Sequence, residues 1–116
     1  MSQDVLTVGE KVHVITRRVF EEDLRRHFAG ECTAVGSSLA RIVGYAFVFD
    51  PARNEYLKRP ELRTRIFPLT DSGLIITVLP AEVDFEKLKY GMSNGRLVLS
   101  DGSGYELDIN EFGFKN

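Results

Sequence analysis

The longest strand candidate in this chain, Leu39 to Phe49, carries a glycine at its middle, Gly44. A glycine inside a strand offers no side chain to pack, so such a position marks a bulge, a sharp bend or a close approach of two backbones. A long bent strand can serve two sides of a sheet, as a small closed barrel requires. The flanking sequence supplies further short strands. Lys11 to Thr16, K-V-H-V-I-T, is β-branched and partly alternating. Glu31 to Val35 leads into the turn Gly36-Ser37-Ser38, and Glu55 to Lys58 restarts a strand that Pro60 interrupts. Leu62 to Phe67, L-R-T-R-I-F, alternates with Arg63 and Arg65 on one face. Leu74 to Leu79, L-I-I-T-V-L, is the most apolar run, which implies burial on both faces, inside the core or against another subunit. Arg96 to Leu99 and Tyr105 to Ile109 flank Asp101-Gly102-Ser103-Gly104 and read as a closing hairpin.

One segment changes period. In V-F-E-E-D-L-R-R-H-F, residues 19–28, Phe20, Leu24 and Phe28 fall at i, i+4 and i+8 with charges between them. That spacing predicts an amphipathic helix, with Glu21 and Glu22 paired to Arg25 and Arg26 and with Gly30 as its stop. Asp84 is placed to cap a short helical turn near residues 84–90, ended by Gly91. Residues 1–9 read as a flexible tail and residues 10–116 as one domain, a size that supports a core without staples.

The composition excludes several function classes. Apolar residues make up 43% of the 116 and charged residues 28%, as in an ordinary globular protein. No apolar run approaches the roughly 20 residues needed to cross a bilayer, and the N-terminus lacks the basic and apolar regions of a signal peptide. A single cysteine, Cys32, excludes an internal disulfide, suits a reducing cytoplasm, and reads as a buried, inert thiol. The net charge of −2 hides an asymmetry: residues 1–66 hold eleven Lys/Arg against nine Asp/Glu, whereas residues 67–116 hold four against eight. Most of that first-half charge is arginine, whose planar guanidinium suits phosphate or carboxylate recognition and intersubunit ion pairs alike.

No catalytic or metal pattern stands out. His13 and His27 are the only histidines and have neither a CxxC nor an HxxxH partner, so no metal site is expected. Ser37-Ser38 lies in a turn without a nucleophile elbow, and neither phosphate-loop pattern occurs. The Glu21-Glu22-Asp23 run reads as a solvated face. The chain therefore reads as a non-enzymatic protein without a cofactor.

Between Val43 and Leu57 the chain runs V-G-Y-A-F-V-F-D-P-A-R-N-E-Y-L, with Gly44, Asp50 and Asn54 as spaced polar or small positions. This stretch resembles the first motif of Sm and Sm-like small β-barrel proteins. The resemblance implies a strongly bent antiparallel barrel that assembles through its strand edges and holds a base, with Asn54 reading the base edge and Asp50 orienting Asn54. Ala52 occupies the family's stacking position, and Leu79-Pro80 stands where the family's second motif has Arg-Gly. Turn chemistry is the competing reading, since Asp and Asn side chains commonly cap their own backbone.

The expected fold is thus mainly β: a small, strongly bent antiparallel barrel of Sm-like or SH3-like type, one N-terminal helix, and a helical turn near 84–90. Asp50, Arg53, Asn54, Arg63 and Arg65 are the expected ligand-binding residues, for RNA or another anionic partner. Self-association is the expected assembly. The alternative is a structural or protein-interaction domain with no nucleic-acid role.

Overall fold

The computed structural model describes residues 5–17, 26–71 and 73–109. Among the described residues, nine strands form two antiparallel sheets: β1 Lys11–Thr16, β2 Arg26–Val35, β3 Leu39–Asp50, β4 Glu55–Lys58, β5 Arg63–Pro68, β6 Leu74–Leu79, β7 Lys89–Ser93, β8 Arg96–Ser100 and β9 Glu106–Asp108. The large sheet has the order β4-β3-β2-β1-β6, with β5 also paired to β3; the small one is β7-β8-β9.

The central strands are covered on both sides. Val12, Val14, Phe28, Cys32, Ile42 and Ala46 form one buried cluster, over which Phe67, Leu69 and Leu74 pack. Ala29, Phe47 and Leu79 belong to a second, shared with Leu88 and Leu99 from the β7–β8 region, and that joint core holds the two sheets together. Leu6 lies in the first cluster, and the Gly9 amide donates to the Cys32 carbonyl at 2.8 Å, so the chain just before β1 is tied to β2. Burial pushes the Cys32 thiol up from its ordinary value.

Gly44 marks a close approach of backbones. In the register of β2 and β3 it faces Gly30, and a Cβ at Gly44 would stand 2.0 Å from the Ala29 carbonyl oxygen. A Cβ at Gly30 would meet the Val43 carbonyl oxygen at 2.1 Å. Neither position can take a side chain without moving a backbone.

At the same place β3 changes partner. Leu39 to Gly44 pair with β5, and Phe47 to Asp50 pair with β4. Between them the Arg59 amide donates to the Ala46 carbonyl at 2.8 Å, and Pro60, which has no amide to donate, follows where the edge is broken. One edge of β3 thus serves two short strands in succession.

Two expectations fail. Neither sheet closes into a barrel, because the outer strands of the large sheet, β6 on one side and β4 and β5 on the other, do not pair with each other. The N-terminal helix is also overturned: among the described residues there is no α-helix, and residues 26–28 of the expected segment are strand. Residues 19–25 of that segment lie outside the described residues. Phe28 was read as the last position of a helical stripe, but its partners are across strands, Val14 on β1 and Ala46 on β3. His27 to Gly30 is buried without alternation, since both faces of β2 are covered, and such a run carries no period that separates strand from helix. A single 3-10 turn, Phe85–Lys87, forms where a helical turn was expected, with the Asp84 side chain accepting from the Glu86 amide at 3.1 Å. β6 is an edge strand among the described residues, with Ile75 and Val78 exposed at 42% and 47%.

Candidate functional site

The five residues expected to bind a ligand are divided between two places. Asp50, Arg53 and Asn54 occupy the tight turn between β3 and β4. There the Asp50 Oδ1 accepts from the Ala52 amide at 3.0 Å, and the Arg53 amide donates to the Asp50 carbonyl at 3.2 Å. Arg53 lies 3.8 Å from both Asp50 and Glu55, and Asn54 has the left-handed φ of 55° that the turn requires. These polar groups are engaged with their own loop. One carboxylate stands on each side of the arginine, so the turn offers little net positive charge.

Arg63 and Arg65 stand elsewhere, paired in register with Gly44 and Ile42 at the other end of β3. Their half-buried side chains alternate with exposed neighbours along β5, so both point to the same face as Phe67. That face opens into a cleft of about 380 Å³. Arg26 from β2, Arg59 from the break after β4, and Thr16 from the end of β1 complete the polar rim. His27 also lines it, Phe28, Ala46, Val48 and Phe67 form its apolar lining, and no Asp or Glu lies among the described lining residues.

The cleft exists because of the partner change on β3. Val48 is paired with Leu57 on β4, whereas opposite Ala46 the ladder is replaced by the single bond from the Arg59 amide, and that break brings Arg59 to the rim. The Arg65 guanidinium lies 5.7 Å over the Phe28 ring, and Phe28 and Phe67 are tilted against each other at 5.6 Å. Arg63 donates to Glu61 at 3.2 Å, a bond that holds the exposed Glu61 carboxyl below its usual range. Four guanidinium groups around a partly enclosed apolar surface concentrate positive potential there, despite the negative net charge of the chain.

Sequence reasoning found Arg63 and Arg65 but not Arg26 and Arg59. The arginine-rich first half was visible; what joins these four is the pairing of β2, β3 and β5, which no local spacing encodes. It also missed a buried polar cluster between the sheets. His13 Nε2 lies 2.7 Å from the Tyr90 hydroxyl, and His27 Nδ1 makes a short hydrogen bond with the same oxygen. The His13 and His27 rings meet edge-on at 5.3 Å, and His27 stacks on Tyr56 at 4.8 Å.

The tautomers follow from the hydroxyl, which donates once. His13 Nδ1 is buried without a partner. A bare lone pair costs less there than an unpaired N–H, which assigns His13 Nε2–H as donor to Tyr90 and the Tyr90 O–H as donor to His27 Nδ1. Burial, with His27 nearby, lowers the His13 pKa to about 3, and burial raises Tyr90 well above its ordinary value. With His13 wholly inaccessible to solvent, this cluster acts as a pin between β1, β2 and β7. Among the described residues, no group of three or more His, Cys, Asp or Glu is placed to hold a metal ion, and no helix is long and apolar enough to cross a membrane.

No family model, curated protein or solved structure matches the chain.

Proposed function

We propose that this chain is a non-enzymatic binding protein whose ligand is an anion held in the arginine cleft. The observation that carries this reading is the convergence of Arg26, Arg59, Arg63 and Arg65 on one cleft that has no carboxylate among its described lining residues. Charge-assisted hydrogen bonds from guanidinium to phosphate or carboxylate are among the stronger polar contacts, and the planar fork adds directional selectivity. The reading moves the site from the Asp50–Asn54 turn to the β5 face, keeping Arg63 and Arg65 and dropping the base pocket. Cys32, a free buried thiol, suits a reducing compartment, and we assign the protein to the cytoplasm.

The test is a titration with inorganic phosphate at about 50 mM salt, followed by arginine side-chain NMR shifts. Saturable shifts at the cleft arginines, lost in an Arg63→Gln/Arg65→Gln double variant and retained in Arg53→Gln, are expected. Shifts centred on Arg53 and Asn54 instead would return the site to the turn. The absence of saturable shifts at every arginine would end the anion reading.

A second reading is favoured by β6: the chain pairs with a second copy of itself along that edge. The Arg17 amide donates to the Gly73 carbonyl at 2.7 Å, and this fixes the hydrogen-bonding phase of β6 against β1. Residues 75, 77 and 79 turn their backbone groups toward β1, and residues 74, 76 and 78 turn theirs to the open edge. The strand has no charge, proline or bulge to block pairing, unlike β5 with Arg63, Arg65 and Pro68. Two copies related by a dyad at Ile76 would pair residue 74 with residue 78 of the partner. Solution mass by light scattering tests this: a dimer that becomes a monomer in Val78→Lys is expected, and a monomeric parent protein at high micromolar concentration would refute it.

A further inference from the structure

The cleft is more than a patch of charge, and its shape narrows the ligand. Resting on the anion-binding reading above, we propose that the occupant is a single nucleotide unit, either a free mononucleotide or the terminal nucleotide of a single strand. Its phosphate would lie on Arg59 and Arg63, and its base against Phe67 and Arg65.

Three features support this choice. The first is the apolar lining. A bare inorganic anion would leave Val48 and Phe67, both half-buried, facing water, whereas a ligand with a flat apolar body would cover them. The second is the posture of Arg65. Its guanidinium carbon lies 5.7 Å over the Phe28 ring and the side chain lines the cleft, a position from which the planar group can stack on a base. The third is charge against volume. A phosphomonoester carries about −1.5 to −2 at neutral pH, which several guanidiniums match better than they match one carboxylate. About 380 Å³ lies at the small end of ligand sites, enough for one base with its sugar and phosphate and too little for two. On the same face of β5, Arg63 and Arg65 are spaced about 6.6 Å apart along the strand, so one can face the phosphate while the other flanks the base. The Thr16 hydroxyl at the rim is a neutral side-chain donor among the lining residues, placed for the sugar.

Other anionic ligands predict different behaviour, and calorimetry on the full chain separates them. The probes are uridine and adenosine 5′-monophosphate, uridine, inorganic phosphate, octanoate, and a single-stranded RNA tetranucleotide with and without a 5′-phosphate. The expected result is that a mononucleotide binds about tenfold or more tightly than inorganic phosphate, and that uridine alone binds weakly, since a charge-assisted contact is lost with its phosphate. Phe67→Leu should reduce nucleotide affinity several-fold and leave phosphate affinity unchanged. Phe67→Ala removes more ring surface, and Phe67→Leu serves where that variant does not fold. Arg63→Gln should weaken both ligands.

Comparing the tetranucleotides with the mononucleotide identifies the source. A 5′-phosphorylated tetranucleotide that binds more tightly than the mononucleotide points to a strand end, and equal or weaker binding points to the free mononucleotide. If phosphate and nucleotide bind equally, the nucleotide proposal is overturned while anion binding stands. If octanoate outcompetes the nucleotide, the site takes apolar carboxylates and the proposal is equally overturned. If none of the probes binds, the anion reading falls with it.

Discussion

Acid should unfold this protein through His13, and the size of the effect follows from its burial. The ring is fully buried between the sheets, and its pKa falls from 6.5 to about 3 because burial, and then His27, disfavours the charged form. In the unfolded chain His13 titrates near 6.5, so between these values the unfolded state binds a proton that the native state refuses, and stability falls as pH falls. The contribution is intact above pH 6.5 and is lost progressively toward pH 3. One such group removes about 2 kcal/mol by pH 5 and about 5 kcal/mol in all, set against a typical total of about 5–15 kcal/mol. The Asp101 carboxyl, held at about 2 chiefly by the Ser103 hydroxyl, titrates below its unfolded value of 3.8, so it is silent above pH 5. The assay is urea unfolding by circular dichroism at intervals from pH 8 to 5, suited to a chain without tryptophan. His27 shares the Tyr90 hydroxyl, so a His13→Gln variant is needed to apportion the slope. Glutamine can still donate to Tyr90 but does not titrate. The variant should lose about 2 kcal/mol less than the parent between pH 8 and 5. A parent protein equally stable at pH 8 and 5, or a variant with the parental slope, would refute the argument.

Replacing Gly44 by Ala should destabilise the fold by about 3 kcal/mol or more, since the new Cβ meets backbone at 2.0 Å, and denaturant midpoints would show it. Asn54→Ala should cost about 1 kcal/mol through its positive φ and leave anion affinity unchanged, measured on the same titrations. If the ligand is a phosphorylated single strand, its affinity should fall with added salt by about 0.7 log units per contacted phosphate for each tenfold change in concentration. The Arg63→Gln variant should flatten that slope by about one contact in a fluorescence titration.

Much of the β architecture was legible because its strands carry local signals. Leu62 to Phe67 sets Arg63 and Arg65 on one face and Lys11 to Thr16 is β-branched, and strands lie at Arg63–Pro68 and Lys11–Thr16. The function of Gly44 was legible as well: a glycine inside a strand had to mean a bulge, a bend or a close approach, and Gly30 opposite it makes it a close approach. The helix failed for a reason that local reading could not remove. Phe28 and the buried run around it are compatible with either period, and only the pairing with Val14 and Ala46 decides between them. Tyr90 is joined to His13 and His27 by the packing of one sheet on the other, and no short motif spans that distance.

The site owes its place to the divided edge of β3. Had a single long strand paired with β3 from Leu39 to Asp50, its ladder would have run on through Tyr45 and Ala46. Instead two short strands divide that edge, with Pro60 in the gap between them. The gap lies at the cleft in which the ligand is proposed to rest, and the same break brings Arg59 to the rim that Arg63 also lines. Gly44, with Gly30 against it, lies where the β5 pairing ends, so no side chain there props the strands apart. The position that best announced the fold from sequence therefore also borders the proposed site, although the resemblance built around it pointed to the turn at the far end of the same strand.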